Sequence, residues 1–506
     1  MIKVERYNDF KFGVINSIEE SNLPKEAMFR SQNMHYKENR WRKMPGLEII
    51  HSSQLGAFPV WSIGKWYSIV PSGKKVLASC GTDLYAEQND GTFVSVDGVV
   101  VPGALIEYLN VPPFVYYGSQ LTKWKRYDGG TVVYSVGGSN GEASDAPKKF
   151  IKIIFNPYAG RYFAIGDPDN PDLLNWSAHI DFEGIEKWED GNAQIVDSVQ
   201  GDSPKNIDIY EGRVTMFSHH SINSGSVVGV PENWSFQKER AQAGCHAGRT
   251  LKRYGASFFM LTPEFEVYQW PNDKFISKGR VKFKINPYKA HLACAEIRDD
   301  RYYELNFESS EAVASNKYHS WTYDILGDRW YGPHIQRNIV SMYFDSDKNQ
   351  VLCGGIDDLE GFIYEMRGRN IKTAAMKCRL TSGYQFQGDI RSDKRYHMVR
   401  IKSKQEGGFL TSGEGQLELT VNVDTFENNP QTQRIILEDP SNINPMDTSL
   451  VRDSIIKRAH IHDAYSLGSS IQVDLRHELL NGDLEISEWD VEYRSRTKKE
   501  NRGVTL

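Results

Sequence analysis

Three short groups of polar residues have the types that could bind metal ions. The first is the run Asp167-Pro168-Asp169-Asn170-Pro171-Asp172, which places three carboxylates in one loop. Calcium prefers oxygen ligands clustered in this way, but the spacing matches no standard calcium loop. Because two prolines restrict the backbone here, we expect a rigid turn between strands rather than a metal site.

The other two groups are histidine pairs. His460-Ile461-His462 would place both imidazoles on one face of a strand, next to Asp463, so a pair of metal ligands is geometrically allowed. No third ligand is identifiable from the sequence. His219 and His220 are adjacent, and adjacent side chains on a strand point apart, which is poor ligand geometry. We expect both pairs to be structural or surface histidines.

Motifs of enzyme chemistry are missing from the sequence. There is no G-x-x-x-x-G-K-[ST] loop, no G-x-G-x-x-G opening a helix, no G-x-S-x-G and no H-E-x-x-H. A glycosidase would need a positioned pair of carboxylates, and nothing singles one out among the 66 acidic residues. We therefore predict a protein that is not an enzyme, with no catalytic, cofactor-binding or metal-binding residues and no cofactor.

Charge and composition exclude further classes of protein. The chain of 506 residues has a formal net charge of −6, which argues against tight binding of nucleic acid through clustered Lys and Arg. The basic run Arg494–Lys499 stands out as the only notable basic cluster, and we expect it to be a solvated terminus rather than a DNA or partner contact. No apolar run is long enough to span a membrane or to serve as a signal peptide. Five widely separated cysteines predict reduced, buried thiols.

The elements that must position these residues are predicted to be strands. Aromatic residues make up 12% of the chain, long helical periodicity is almost absent, and turn clusters such as Asn89-Asp90-Gly91 and Asp128-Gly129-Gly130 recur. These features predict an all-β protein.

The strands repeat between about residues 55 and 370. Glycines mark successive turns, at Gly81, Gly118, Gly166, Gly212 and Gly255. Their spacing is close to the length of one four-stranded propeller blade, which is roughly 40 to 50 residues. Seven pairs of strands share this pattern; they begin near Trp66, Phe114, Tyr162, Ile207, Ser257, Tyr302 and Val351. The pattern predicts a β-propeller of six or seven blades. Ordinary hairpins in two sandwiches are the alternative.

The regions flanking the repeat differ from it. Residues 1–55 are polar with poor periodicity, which predicts an N-terminal arm. After about residue 372 the alternation becomes cleaner, as in Leu417–Val423, where every second residue is apolar. We predict three regions: an arm at 1–55, a propeller at 56–371, and a C-terminal β-sandwich or barrel with a basic tail at 372–506. Residues 442–459 are either a short helix or a loop followed by a strand.

One turn is similar to the Asp-box of sialidase-like propellers. The segment Thr322–Trp330 carries the Asp, Gly and Trp of that motif, with one extra residue before Gly327. In those enzymes the box is architectural and distant from catalysis. The likeness leaves a second function open: a propeller directed at host glycans, either a binder or a glycosidase.

A series of short phrases resembles the tail hub and nozzle proteins of short-tailed bacteriophages, the packaged-DNA stabilisation type. The phrases follow one order along the chain: Ser31–Glu38 with Met44–Leu47, Asn175–Ser177 with Phe182 and Trp188, Ala243–Ala247, Trp321–Ile325 with Trp330, and Leu380–Tyr384. They span about residues 30 to 390, and their order is more specific than any one phrase.

The resemblance implies a structural virion protein. Such a subunit would belong to a homo-oligomeric ring, commonly a hexamer, beneath the portal and adaptor ring proteins, with tail fibre or tail needle proteins as further partners. It would be assembled in the bacterial host cytoplasm and located in the virion tail. The ring would retain the packaged genomic DNA and conduct it during ejection without sequence-specific binding. A mildly acidic conduit suits sliding DNA, because many phosphate contacts would hinder movement.

Overall fold

The computed structural model describes residues 2–16, 19, 22–69, 73–98, 100–134, 149–181, 184–188, 192–195, 202–241, 243–313, 316–387, 392–406, 417–424, 431–437, 455–462, 466–478 and 483–495. These residues form strands and turns, with five short 3₁₀ helices among them: Gly184–Glu186, Pro231–Asn233, Gly248–Thr250, Ala290–Leu292 and Asp357–Leu359. Within this described part of the chain, no helix is long and apolar enough to cross a bilayer.

The chain divides into two compact units. The propeller unit comprises Ile49–Tyr318 and Asn338–Met366, and the terminal unit comprises Met1–Glu48, His319–Arg337 and Arg367–Leu506. This division differs from the predicted one, because Met1–Glu48 belongs with the C-terminal region and does not form a separate arm. The chain also leaves the propeller unit at His319 and returns to it at Asn338.

The strands before the repeat are short. They are β1 (Lys3–Tyr7), β2 (Gly13–Val14), β3 (Ala27–Gln32), β4 (Met34–Lys37), β5 (Arg40–Lys43) and β6 (Glu48–Ile49).

The strands of the repeat follow one another along the chain as blades. The first four blades contain β7 (Val60–Tyr67), β8 (Lys74–Cys80), β9 (Asp83–Glu87), β10 (Phe93–Asp97), β11 (Glu107–Val111), β12 (Phe114–Gly118), β13 (Lys125–Tyr127), β14 (Val132–Tyr134), β15 (Lys152–Asn156), β16 (Arg161–Ile165), β17 (Leu173–Trp176), β18 (Ala193–Ile195), β19 (Pro204–Tyr210), β20 (Arg213–Ser218), β21 (Ser221–Ser226) and β22 (Ser235–Ala241). The remaining blades contain β23 (Lys252–Tyr254), β24 (Ser257–Leu261), β25 (Val267–Trp270), β26 (Lys274–Phe275), β27 (Cys294–Arg298), β28 (Tyr302–Val313), β29 (Asn316–Asp324), β30 (Arg329–His334), β31 (Ile339–Asp345), β32 (Gln350–Gly355) and β33 (Ile363–Glu365).

These strands form seven four-stranded sheets, and the predicted β-propeller is confirmed. Six sheets consist of consecutive strands, and the seventh contains β31, β32, β33 and β6. The first strands begin at Val60, Glu107, Lys152, Pro204, Lys252, Cys294 and Ile339. Each of the seven predicted strand pairs lies in a separate sheet. Strand β29 begins in the propeller unit and ends in the terminal unit.

Apolar clusters lie between neighbouring blades. Leu77 of the first blade, for example, packs in one cluster with Val115 and Tyr127 of the second. A cluster of the same kind joins Val76 of the first blade to Leu352 of the last. Apolar surface is therefore buried between successive blades from the first to the fifth, and the last blade closes the ring on the first.

A buried ion pair lies in this closing seam. The Lys65 ammonium on β7 is 2.7 Å from Asp345 Oδ1 on β31 and 2.8 Å from Asp347 Oδ2. The side chains of Lys65 and Asp345 are 5% and 0% exposed. Burial alone would lower the pKa of Lys65, but the hydrogen bonds to the two carboxylates outweigh it and raise the pKa. The Lys65 ammonium therefore remains charged inside the seam.

The terminal unit is built on two larger sheets. Its remaining strands are β34 (Asn370–Ile371), β35 (Ala374–Ala375), β36 (Lys377–Ser382), β37 (Lys394–Glu406), β38 (Leu417–Asp424), β39 (Gln431–Leu437), β40 (Ile455–His460), β41 (Leu467–Gly468), β42 (Ser470–Glu478) and β43 (Asp483–Ser495). One sheet has the order β4-β5-β43-β37-β40, and in it β1 also pairs with β43 and β41 with β37. The other has the order β2-β3-β36-β42-β38-β39. Of the segment 442–459, residues 442–454 lie outside the described residues, and the remainder belongs to strand β40.

The N-terminal residues join the terminal unit through long-range pairing. Strand β1 runs antiparallel to β43, from Lys3 opposite Tyr493 to Tyr7 opposite Trp489. Phe10 packs its ring against Trp489 at 4.9 Å and against Trp41 at 5.9 Å. Because β43 lies at the opposite end of the chain, the pattern of residues 1–55 is set by a distant partner, which explains its poor local periodicity.

Substitution of the buried seam carboxylate tests its role in ring closure. We expect Asp345→Asn to lower the free energy of unfolding by about 3 kcal/mol, because the Lys65 charge loses its most buried partner. Urea denaturation measures the change. Lys74→Gln, at a half-exposed partner of Asp347, is the matched control and should cost less than about 1 kcal/mol. Equal effects of the two variants would contradict the account.

The stability that the seam contributes depends on pH through the carboxyl of Asp347. Hydrogen bonds from Lys65 and Lys74 lower the pKa of its carboxyl to about 2. Because this value is below the ordinary value of about 3.9, the interaction stabilises the fold above about pH 4 and is lost as the pH falls toward 2. Carbon-detected NMR titration should show this low pKa, and Lys65→Met should raise it. An unchanged titration in that variant would disprove the assignment.

Candidate functional site

The first strands of the seven blades line a small central cavity in the propeller unit, which we call the tunnel. Its cavity has a volume of about 180 Å³. Its charged lining residues come from four blades and one connection between blades: Glu107, Lys152, Arg249, Lys252 and Glu296. Pockets for drug-sized ligands are larger, at about 300 to 1,000 Å³. The tunnel therefore has room for a few water molecules or a very small ligand.

Arg249 joins three backbone segments across the tunnel. It lies in the 3₁₀ helix Gly248–Thr250, just before the fifth blade. Its Nη1 donates to the Trp61 carbonyl at 2.8 Å, and its Nη2 donates to the carbonyls of Leu292 at 2.8 Å and Val340 at 2.7 Å. The planar guanidinium presents donors in a fixed fork, so one side chain can hold all three segments.

Further polar contacts connect other neighbouring blades around the tunnel. Lys152 Nζ donates to Asn206 Oδ1 at 2.8 Å, and Asn206 Nδ2 donates to the Gly248 carbonyl at 2.6 Å. The Lys252 ammonium is 2.7 Å from Glu296 Oε2. Burial alone would lower the pKa of Lys252, but attraction to Glu296 outweighs this and raises it. Most of the charged side chains that line the tunnel therefore make contacts between blades.

Two groups of the propeller unit have strongly raised pKa values, and one of them, Tyr108, lines the tunnel. Burial raises the pKa of the Tyr108 hydroxyl, which has no hydrogen-bond partner among the described residues. Its ring packs against Gly64, where a Cβ would lie 2.4 Å from the ring and would clash with it. Burial also raises the pKa of the Cys245 thiol to about 12. At neutral pH the thiol stays protonated, so it is a weak nucleophile.

The prediction that His219 and His220 lie on a strand with their side chains pointing apart is wrong. Strand β20 ends at Ser218 and β21 begins at Ser221, so the two histidines form the turn of a hairpin and not part of a strand. Their rings meet, with His219 Nδ1 2.8 Å from His220 Nε2, and His219 Nε2 is 3.0 Å from His246 Nδ1. Burial, followed by the neighbouring His219, lowers the pKa of His246 to about 4. The imidazoles thus form a chain that links the β20–β21 hairpin to the connection before β23.

The Asp167–Asp172 segment is a turn, as predicted. It joins β16 to β17, and the Asp169 amide donates to Asp167 Oδ1 at 3.1 Å. The Asp-box-like segment is also a structural turn, between β29 and β30. Its buried Asp324 accepts hydrogen bonds from the Gly327 amide at 3.1 Å and from Arg329 Nε at 3.3 Å.

Of the other residues named from the sequence, Cys294 belongs to the tunnel lining. His460 and His462 are exposed on either side of the buried Ile461, so they share a face, while Asp463 lies outside the described residues. Arg494 and Ser495 are the described part of the basic run, whose residues 496–499 lie outside it. All five cysteines are buried and free of disulfides. Among described residues, no group of three or more His, Cys, Asp or Glu is arranged to hold a metal ion.

Comparisons with known proteins give only distant likenesses. No family model and no curated protein matches the chain. Similar solved structures include a streptogramin B lyase (12% identity, 63% of this chain and 96% of that chain, TM-score 0.36). Another is PorZ, a surface component of the type-IX secretion system of Porphyromonas gingivalis (12% identity, 69% and 45%, TM-score 0.36). The WD40 domain of Neurospora crassa Pan2 is a third (8% identity, 67% and 89%, TM-score 0.26). At these TM-scores they carry no argument about function.

Substitution of Arg249 tests whether the tunnel is a structural centre. We expect Arg249→Met to lower the free energy of unfolding by about 2–4 kcal/mol, because three carbonyls lose their donor. Arg249→Lys should recover part of this loss. Arg213→Met, which removes an exposed pair with Glu239 at 3.3 Å, is the control and should cost less than about 1 kcal/mol. Urea denaturation measures all three, and a neutral Arg249→Met would contradict the assignment.

Proposed function

We propose that this chain is a structural subunit of a bacteriophage tail, in the nozzle or hub ring that closes the portal channel. In this role it retains packaged DNA and conducts it during ejection. The observation that carries the proposal is the ordered series of phrases between about residues 30 and 390 that resembles the packaged-DNA stabilisation type.

Residues of the phrases make structural contacts within each unit, which supports the resemblance. In the terminal unit, Asn33 has a left-handed φ of 52°, and its amide donates to His334 Nδ1 at 3.0 Å. In the same unit, Ser382 Oγ accepts from the Val473 amide at 3.0 Å. These hydrogen bonds fix the backbone around Asn33 and Ser382, so these two phrase residues have structural roles.

A phrase residue has a similar role in the propeller unit. Ser177 Oγ accepts from the Tyr162 amide at 3.0 Å. Gly244 lies so close to the Ser218 carbonyl that a Cβ would be 2.3 Å from its oxygen. A side chain there would push apart two connections on one end of the propeller. The close approach gives a physical reason for glycine in the Ala243–Ala247 phrase.

The tunnel constrains how such a subunit would conduct DNA. The major groove of B-DNA alone is about 12 Å wide, so a duplex cannot enter a cavity of about 180 Å³ crossed by Arg249. In the proposed ring, DNA therefore passes along an axis between subunits. Each propeller is a solid block of the wall, and heterologous contacts between blocks close the ring.

Assembly with neighbouring tail proteins tests the proposal. The purified chain is mixed with the portal and adaptor rings encoded beside it, and the mass of the complex is measured by light scattering. We expect a complex that contains several copies of the 57.7 kDa chain, and antibodies against the chain should label one end of purified virions. An isolated monomer does not test the proposal, because such rings can require a template.

Two results would contradict the proposal. The first is absence of the chain from purified virions whose genome encodes it. The second is specific binding or cleavage of host surface polysaccharide by a chain that is not in the particle, which would favour the glycan-directed alternative.

A further inference from the structure

One stretch of the propeller unit differs in charge from the rest of the chain. Between Asp273 and Glu296 there is no acidic residue, although the whole chain has a net charge of −6. The stretch carries six basic residues: Lys274, Lys278, Arg280, Lys282, Lys284 and Lys289. We refer to residues 274–291 as the basic segment. The expectation that Arg494–Lys499 is the only notable basic cluster is therefore wrong.

The basic segment presents its largest apolar side chains to solvent. Phe283 is 78% exposed and Tyr288 is 86% exposed, the two highest values for large hydrophobic residues in the described part of the chain. The smaller Val281 and Ile285 are buried. Burial of a phenylalanine contributes about 1.5–3 kcal/mol, and the segment does not obtain this for Phe283. Its anchoring to the propeller therefore depends on the aliphatic residues and leaves the aromatic rings available.

Hydrogen bonds hold the basic segment against β28. The Asn286 amide donates to the Glu308 carbonyl at 2.9 Å, and the Ser310 amide donates to the Lys284 carbonyl at 2.8 Å. Ser310 Oγ donates to the Phe283 carbonyl at 3.0 Å. These hydrogen bonds fix the backbone from Phe283 to Asn286, so a ligand would not have to order it.

Several cations of the segment are available beside these rings. The ammonium groups of Lys278, Lys282 and Lys289 make no hydrogen bond or ion pair with any other described residue. Lys284 pairs with Glu311, and Arg280 donates to the Ser277 carbonyl at 3.3 Å. Three uncompensated ammonium groups therefore lie along one stretch together with two exposed aromatic rings.

We propose that the basic segment is a binding surface for single-stranded nucleic acid. Exposed aromatic rings stack on unpaired bases, and Lys and Arg side chains neutralise the phosphates between those bases. Duplex DNA offers the phosphates but keeps its bases stacked inside, so it cannot use Phe283 and Tyr288 in this way. The inference depends on this segment alone and is independent of the proposed tail function.

A membrane surface is the competing occupant for a basic and aromatic segment. Interfacial membrane binding needs a broad apolar face, usually on an amphipathic helix. Here Val281 and Ile285 face the protein interior, and the only helical element of this fully described segment is the 3₁₀ helix Ala290–Leu292. Two separate rings among lysines fit base stacking better than insertion into lipid.

Fluorescence anisotropy with the full chain tests the proposal. The probe is a labelled oligothymidylate of about 12 nucleotides, within the usual site size. We expect binding whose logarithmic salt dependence has a slope of about −2, for phosphate contacts with the three unpaired ammonium groups on a single strand. Phe283→Ala and Tyr288→Ala should each weaken binding by on the order of tenfold or more. Lys282→Gln should weaken it and make the slope smaller by about 0.7.

Matched controls come from other exposed positions of the propeller unit. Tyr158→Ala removes a ring that is 66% exposed, and Lys123→Gln removes an exposed cation. Both should leave binding unchanged. Thermal unfolding of every variant checks that the fold is retained, which is expected because the changed side chains lie at the surface.

Three outcomes would overturn the proposal. The first is no binding of the oligothymidylate at low salt. The second is a loss of affinity in the control variants equal to that in the segment variants. The third is tighter binding of a duplex, or of phosphatidylserine vesicles, with an affinity that Phe283→Ala leaves unchanged. Because the assay contains no other tail protein, its failure leaves the virion proposal standing. Absence from virions would likewise leave this result unaffected.

Discussion

Closure of the ring at the seam between the first and last blades is the constraint on which the propeller depends. The first and last blades bury apolar surface against each other, so an open ring would expose the apolar surfaces of both. The chain brings together Lys65 and Asp345, which are distant in sequence, and buries the pair. Arg249 depends on the same closure, because two of its acceptors, the carbonyls of Trp61 and Val340, belong to the first and last blades.

The propeller was predictable from the sequence because most of its strands pair with strands that are adjacent in the chain. Six of the seven blades are meanders of consecutive strands, so turn residues and aromatic strands recur at nearly constant spacing. The division into units was not predictable in this way. Tyr7, Phe10 and Trp41 look like scattered aromatics in a polar arm until β43 supplies Trp489. The local pattern of either segment does not identify the other as its partner.

The candidate site was less predictable than the fold. No sequence motif around Arg249 identifies it as part of the site, because its acceptors are backbone carbonyls contributed by distant segments. His219 and His220 were assigned to a strand, and the hairpin turn gave them the opposite geometry. The basic segment, in contrast, was available from a simple count of charge between Asp273 and Glu296. Only the structure, however, separates the exposed Phe283 and Tyr288 from the buried Val281 and Ile285.

Together these features describe a propeller ring whose centre is occupied by structural contacts. The central claim is that such rings are building blocks of a phage tail and that DNA passes beside them. Electron cryomicroscopy of the intact tail tests this claim most directly. The account predicts several copies of the seven-bladed ring around a common axis, with DNA density on that axis. A tail without this fold, or nucleic acid density inside the propeller tunnel, would contradict it.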